Sequence, residues 1–404
     1  MVRKIAFISE YYSSGMGYTE NCLPLALKKI GYDVRVFSST LNVYSLSSNY
    51  SKFYETFLGP REIREGIYED NGIKVIRMPY INLNGYIDIP IINKYLKAFK
   101  PDIIQLNSPS SLVGLRTVLG SHKAKYFTEC HQHLSVAKPL RYYKKCGPHK
   151  YVLYFMTRTL IGKYIAQKTI CCFSIAPDCS EVAESHYGVP KSKIVYIPLG
   201  TDIDKFHPAR NIEEYKKRQH LRISMGVDDS AILIIYTGRL SHSKNPIILA
   251  NAIQILRAEG EKVFGLFIGD GELKQEIMEK DSCKVIPFQR YNDLPEYYRA
   301  ADIAIWPREE SMSMLDALAS GLPLIVSDRM GDPERVKDCG IQFKYDDINS
   351  LIESIRLLLD REVRETYKRN ARRKAEDNYS WEIIARKRAA YYEQALYNEI
   401  NSGV

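Results

Sequence analysis

Two stretches in the second half of the chain gather residue types that handle phosphate and sugar. In the first, Gly238-Arg239-Leu240-Ser241-His242-Ser243-Lys244-Asn245, two cations follow an apolar run at 232–236. Arginine offers a planar fork of donors to phosphate oxygens and lysine a point charge, so the pair suits a diphosphate. A solvated basic loop is the alternative reading. The second stretch runs Arg308-Glu309-Glu310-Ser311-Met312-Ser313-Met314-Leu315-Asp316, follows an apolar run at 303–306 and opens a helix of small and apolar residues. Amides at that helix start, near Ser311, Met312, Ser313 and Met314, favour an anion. Asp316 can accept hydrogen bonds from ribose hydroxyls. Acids that merely cap a helix start are the alternative.

A third stretch, Gly15-Met16-Gly17, follows the first apolar run, 4–8. Glycines there permit close backbone approach, and the next helix points its amides at the loop. Continuing to Glu20 gives GxGxxE rather than GxGxxG. A dinucleotide fold also wants a carboxylate at the end of the second strand. Here that strand, 33–39, ends in serines, so no NAD site is expected. A tight strand-to-helix turn explains the glycines equally well. His131 and His133 stand just past a further apolar run, 125–128, and a lone histidine is more often structural than chemical.

The elements that must position these residues alternate along the whole chain. The run 4–8, the helical stretch 19–30 and the run 33–37 form a βαβ unit, the seed of a parallel doubly wound sheet. Further strands are expected at 74–78, 102–106, 125–128, 169–174 and 194–197. A polar, basic stretch, 211–222, reads as a connector. A second series has strands at 232–236, 263–268, 285–287, 303–306 and 324–327, with helices at 246–258, 272–279, 294–300 and 314–320. Helices at 347–360, 361–377 and 381–397 close the chain. The expected fold is therefore α/β, with two Rossmann-like domains facing a cleft. The first is 1–205, completed by 381–404, and the second is 206–380.

Length and composition agree with this division. A chain of 404 residues exceeds one ordinary core. Its 45% apolar and 26% charged residues are those of a folded protein. No run approaches the roughly 20 apolar residues of a spanning helix. The N-terminal apolar run is too short for a signal peptide, so the cytoplasm is the expected location. The eight cysteines form no CxxC pair and read as buried thiols, not as a zinc site. A net charge of +9 comes without a long basic block, so no nucleic-acid partner is expected. The basic, tyrosine-bearing segment 138–168 has the composition of an anionic-membrane contact, at the inner face. An ordinary helix pair with a solvated basic face is the favoured reading.

Taken together, the order of motifs resembles a GT-B glycosyltransferase of the retaining family 4 type. The resemblance covers nearly the whole chain. It rests on Gly238, Arg239 and Lys244 as G-R-x(4)-K, on Gly269-Asp270-Gly271, and on Val285–Tyr291 followed by Leu294-Pro295-Glu296-Tyr297-Tyr298-Arg299-Ala300-Ala301-Asp302. A linker motif from Ile197 to Pro208 and a closing Tyr379-Ser380-Trp381-Glu382 complete it.

The resemblance implies a nucleotide-diphosphate sugar, carried by UDP or GDP, as co-substrate, and a glycan, lipid-linked or small-molecule acceptor. No metal is implied. Arg239 and Lys244 would neutralise the leaving diphosphate, Asp316 would hold the ribose, and Glu310 would contact the donor sugar. His131 would touch that sugar from the N-terminal domain. Gly15 and Gly17 would lie near the diphosphate or acceptor. Phe288, Tyr291 and Leu294 would border the base, and Gly269 and Gly271 would shape the same site. The final helix would cross back to the N-terminal domain. One departure stands out. The family spaces its two acids eight apart, whereas Glu310 precedes Asp316 by six and Glu309 by seven. Glu309 therefore stays open beside Glu310. Asp202-Ile203-Asp204 is formally a DxD metal motif but falls in the linker and reads as structural. The rival functions are a GT-B nucleotide-sugar epimerase or hydrolase, and a non-catalytic nucleotide-sugar-binding protein.

Overall fold

The computed structural model describes residues 2–137, 145, 147–308 and 310–402. Contacts divide them into two compact units, Met1–Leu199 with Trp381–Val404, and Gly200–Ser380. Residues 200–205 thus pack with the second unit.

The first unit is built on β1 (Lys4–Ser9), β2 (Asp33–Ser39), β3 (Gly66–Asp70), β4 (Ile73–Met78), β5 (Ile81–Leu83), β6 (Tyr86–Asp88), β7 (Ile103–Leu106), β8 (Lys125–Cys130), β9 (Thr169–Ser174) and β10 (Ile194–Tyr196). Eight of these form one sheet in the order β10-β9-β8-β7-β1-β2-β4-β3. Every pairing is parallel except β3 on β4. In β1, residues Ile5 to Ile8 are all buried, the pattern of a strand covered on both faces.

Two hairpins add strands beyond those expected. Asn71-Gly72 joins β3 to β4, and Asn84-Gly85 joins β5 to β6. All four turn residues have positive φ, 51° and 81° in the first turn and 52° and 90° in the second. Two-residue turns of this hand match the twist of the flanking strands, and Asn-Gly supplies it at low cost.

The helix Trp381–Ser402 returns to this first unit and packs on the helix Thr19–Lys29. Tyr392 donates to Gln105 Oε1 at 2.8 Å, and Tyr32 donates to Glu393 at 2.6 Å. Arg388 reaches the carboxylate of Glu129 at the end of β8, with both side chains fully buried.

In the second unit, β11 (Ile232–Thr237), β12 (Val263–Ile268), β13 (Cys283–Ile286), β14 (Ile303–Trp306), β15 (Leu324–Ser327) and β16 (Gly340–Phe343) form an all-parallel sheet ordered β13-β12-β11-β14-β15-β16. The stretch 211–222, expected to be a connector, is instead the helix Ile212–Ser224. Asn211 caps it by accepting the Glu214 amide at 2.9 Å. Its polar look hides an anchor. Arg222 is buried and donates to Asp302 at 3.0 Å, Arg218 adds a contact to the same carboxylate at 2.8 Å, and Asp302 also accepts the Leu233 amide. An ion pair, not an apolar face, fixes this helix, so apolar periodicity misses it.

Residues 138–144, 146 and Glu309 lie outside the described residues. The remainder of the basic segment is a helical run through Pro148–Tyr154, a π-helical turn Phe155–Leu160, and Ile161–Lys168. It leaves Val152, Leu153, Met156 and Leu160 exposed. Among the described residues, no helix is long and apolar enough to cross a membrane.

Candidate active site

In the second sheet, β12 and β13 lie to one side of β11, and β14 to β16 to the other. A ligand crevice opens at the carboxyl ends of strands where the order reverses in this way. The two loops leaving that point are those bearing Arg239 and Lys244 after β11, and Glu310 after β14. The structure fastens them together. Trp306 Nε1 donates to the Thr237 carbonyl at 2.9 Å, closing the two strand ends on each other. Lys244 Nζ donates to the Glu310 carbonyl at 3.0 Å. Arg308 donates to the His242 carbonyl at 2.8 Å and forks onto Asp346 at 2.8 and 2.6 Å. Arg239 is exposed on the same loop, and Tyr236 OH donates to its carbonyl at 2.8 Å.

The glycines of this region are explained by packing. Gly238 donates to the Ile268 carbonyl, and Leu240 to the Asp270 carbonyl, so the loops after β11 and β12 lie in contact. Gly269 has φ +157°, and a Cβ there would stand 1.9 Å from the Gly238 carbonyl oxygen. A Cβ on Gly271, at φ +155°, would stand 2.4 Å from the Leu240 oxygen. These two glycines let one loop brace the loop that carries Arg239. Gly269→Ala is expected to destabilise the second unit by about 3 kcal/mol, through forbidden dihedrals and backbone clash together. Gly260→Ala, where a Cβ meets nothing within 4 Å, is the control. Thermal melts of the two variants read the clash as their difference.

Glu310 has both carboxylate oxygens engaged. Oε1 accepts the Gly331 amide at 2.6 Å, and Oε2 accepts Arg335 at 2.7 Å. Its side chain is 6% exposed. Asp316 is also buried, and its Oδ1 accepts the Thr201 hydroxyl at 2.7 Å. Burial pushes its carboxyl up to about 7, against the lowering effect of Thr201. Ser311 and Ser313 share a hydroxyl contact of 2.6 Å, Met312 is half-buried and Met314 turns into the core. Phe288, Tyr291 and Leu294 are half-buried after β13. The Phe288 ring lies 3.6 Å from the Cβ position of Gly269, and Tyr291 packs on Phe206 with centroids 5.0 Å apart. Asp202 Oδ1 accepts the amides of Asp204 and Lys205 at 3.1 Å, the work of a turn cap.

The remaining residues of interest belong to the first unit. Its strand order reverses between β1 and β7. At that point Ser9, Glu10, Tyr11, Asn107 and Ser108 line a pocket with Ser111. Burial raises the Glu10 carboxyl to about 7, with Arg158 opposing. Gly15 and Gly17, at φ 73° and 69°, shape the loop after β1. His131 follows β8, with Nε2 3.1 Å from Glu129 Oε1. Burial opposes the charge on Glu129, but Arg388 and His131 hold its carboxyl down at about 2. Glu20 sits close enough to feel both Glu129 and His131, and burial raises it to about 7. The pairings of Thr201 with Asp316, Arg335 with Glu310 and Glu129 with Arg388 have no local sequence signal, because each spans 25 residues or more.

Two doubly wound sheets, the first parallel but for one edge strand and the second all-parallel with a cation-bearing loop at its switch point, define the GT-B class of glycosyltransferase folds. A solved structure of HepE from Anabaena, holding UDP and glucose, superposes with a TM-score of 0.68 over 97% of this chain and 99% of that one, at 15% identity. The profile described as Glycosyltransferase Family 4 matches residues 25–205, and Glycosyl transferases group 1 matches 217–374. Together they span more than four-fifths of the sequence. The chain belongs to the group 1, family 4 type of glycosyltransferases. It is 28% identical to spore coat protein SA of Bacillus subtilis over 57% of this chain and 68% of that protein. It is 27% identical to the UDP-Gal:alpha-D-GlcNAc-diphosphoundecaprenol alpha-1,3-galactosyltransferase of Escherichia coli, over 50% of this chain and 54% of that one. The chain therefore spans about half to two thirds of the length of these curated relatives.

Proposed function

We propose that this glycosyltransferase moves a sugar, with retention at the anomeric carbon, from a nucleoside-diphosphate donor to a glycan or lipid-linked acceptor. The observation that carries the donor half is the stitched pair of loops at the β11/β14 switch point, with Arg239 and Lys244 on one and Glu310 on the other. Positive charge placed where the diphosphate leaves stabilises the transition state in proportion to the charge that develops, often the largest catalytic contribution. Arg239 and Lys244 take that role, so the transfer needs no metal at the diphosphate. Asp316 accepts from the ribose, and Phe288, Tyr291 and Leu294 border the base. Glu310, with its carboxylate engaged by Arg335 and Gly331, acts by orienting Lys244 through its carbonyl. The first unit takes the acceptor at the pocket beside Glu10. A lipid-linked acceptor is favoured by the name of the Escherichia coli relative and by the exposed apolar residues of 148–168 beside basic ones, a composition suited to an anionic bilayer surface.

Thermal unfolding with UDP, GDP and ADP, alone and as sugar conjugates, tests the donor site. One nucleotide class at about 100 times its dissociation constant should add about 2.7 kcal/mol, and Arg239→Ala should abolish the gain. No shift with any nucleotide would overturn the donor reading and favour a non-catalytic role.

A further inference from the structure

Outside this machinery, three metal-ligating side chains converge in the first unit. His133 lies in the turn after β8, and Asp178 and Cys179 open the helix Pro177–Ser185 after β9. These strands are neighbours, with Cys130 level with Ser174, so the two loops leave the sheet side by side. His133 Nδ1 is 3.1 Å from each oxygen of Asp178 and 3.7 Å from Cys179 Sγ. One donor atom from each residue lies within 4.8 Å of the others.

The arrangement is not a nucleophilic relay. A thiol–imidazole–carboxylate triad threads through the ring, with the thiol on one nitrogen and the carboxylate on the other. Here both face the same nitrogen. Donor atoms that converge on a point, instead of lying in series, are what a cation requires. Tetrahedral zinc, with bonds of about 2.0–2.3 Å to nitrogen, oxygen and sulfur, sets ligand–ligand edges of roughly 3.3–3.6 Å. The observed 3.1 and 3.7 Å fall within a few tenths of those edges.

We infer that His133, Asp178 and Cys179 form a binding site for a thiophilic divalent cation of the zinc class. A thiolate–imidazole–carboxylate set selects zinc or cobalt over magnesium or calcium. His133 and Asp178 are 18% and 15% exposed, which leaves a solvent-side position for water as fourth ligand, while Cys179 is fully buried. Binding replaces the Cys179 S–H bond with an S–metal bond and releases that proton to solvent. The cation would pin the turn after β8 to the helix after β9, two residues from His131. Spacing conceals the site, since His133 and Cys179 are 46 positions apart.

The test uses the full chain, stripped with a chelator and titrated with Co²⁺ and then Zn²⁺. The expected result is one equivalent of Co²⁺ with a thiolate-to-cobalt charge-transfer band, displaced by Zn²⁺ and unaffected by excess Mg²⁺. Cys179→Ser and His133→Ala should each lose the band and weaken Zn²⁺ binding at least tenfold, whereas Cys171→Ser should keep both. Should a variant fold poorly, wild-type protein gives an independent reading, because Zn²⁺ and not Mg²⁺ should raise its melting temperature saturably at about one equivalent. A wild-type chain with no saturable equivalent, a band that survives in Cys179→Ser, or a melting temperature indifferent to Zn²⁺ would overturn the assignment.

Discussion

Arg388→Ala is expected to cost the first unit about 3–5 kcal/mol, the range for removing one member of a buried ion pair. Its guanidinium and the Glu129 carboxylate are both fully buried, so the alanine variant strands a charge away from water. The cation also lies 4.9 Å from the Phe173 ring, and its attraction to that ring's face disappears with the side chain. The pH dependence gives the prediction a sign. In the wild type the Glu129 carboxyl is held at about 2, below its ordinary 4.5. That stabilisation is present above pH 4.5 and is lost as the pH falls toward 2. Without Arg388, burial acts on Glu129 with only His131 opposing it and pushes its carboxyl up, so the variant recovers stability on acidification as the stranded charge takes a proton. The gap between the two proteins should therefore be wide at pH 8 and narrow toward pH 5. The chain has two tryptophans, Trp306 in the second unit and Trp381 in the first. Urea unfolding followed by fluorescence in a Trp306→Phe background thus reports the first unit. A pH-independent gap would mean that poorer packing, not the uncompensated charge, sets the cost. Replacing both residues, Arg388→Met with Glu129→Gln, should recover much of the loss.

Asp316→Asn separates stability from binding in the second unit. The folded protein holds the Asp316 carboxyl at about 7, above an ordinary 3.8, because burial disfavours its charge. The folded state therefore binds the proton more tightly than the unfolded chain. Stability is full below pH 3.8 and declines as the pH rises through 7. Asparagine cannot ionise, so the variant's stability should be level over that range and should exceed the wild type at pH 8. A shift of this size corresponds to an effect on the order of 4 kcal/mol. Nucleotide-sugar binding should move the other way. An ionised carboxylate accepts from ribose hydroxyls more strongly than a neutral amide, by about 1–1.5 kcal/mol. Wild-type affinity should climb through pH 7, while the variant stays flat and about 5- to 10-fold weaker at pH 8. Fluorescence of Trp306 in a Trp381→Phe background reads the stability, and calorimetry with an intact nucleotide sugar reads the affinity. Equal affinities at pH 8 would remove Asp316 from the ribose site.

What the sequence made legible follows from where each signal resides. Strands buried on both faces, such as Ile232–Thr237 and Val263–Ile268, stand out as apolar runs, and their order announces a doubly wound sheet. The site loops are legible for the same reason, since 238–245 and 308–316 directly follow such runs. The short edge strands β3 and β16 lack a full apolar face. Still, the Asn-Gly pairs at 71–72 and 84–85 were a usable hairpin signal. The helix Ile212–Ser224 was hidden because an ion pair to Asp302, 80 residues from Arg222, holds it in place of an apolar stripe. The same reason explains the engaged carboxylate of Glu310. Its hold on Arg335 is a contact between loops, and no local spacing encodes it.

The helix Trp381–Ser402 completes the first unit only after every residue of the second has been made. Glu129 waits 259 positions for Arg388, roughly 10–50 s at ordinary rates of translation. During that interval the chain of the second unit is completed, while the first still lacks the helix that packs on Thr19–Lys29 and the buried partner of Glu129. Order of assembly is thereby written into the chain: the unit that begins first finishes last, and it closes only on a protein whose middle has already been synthesised.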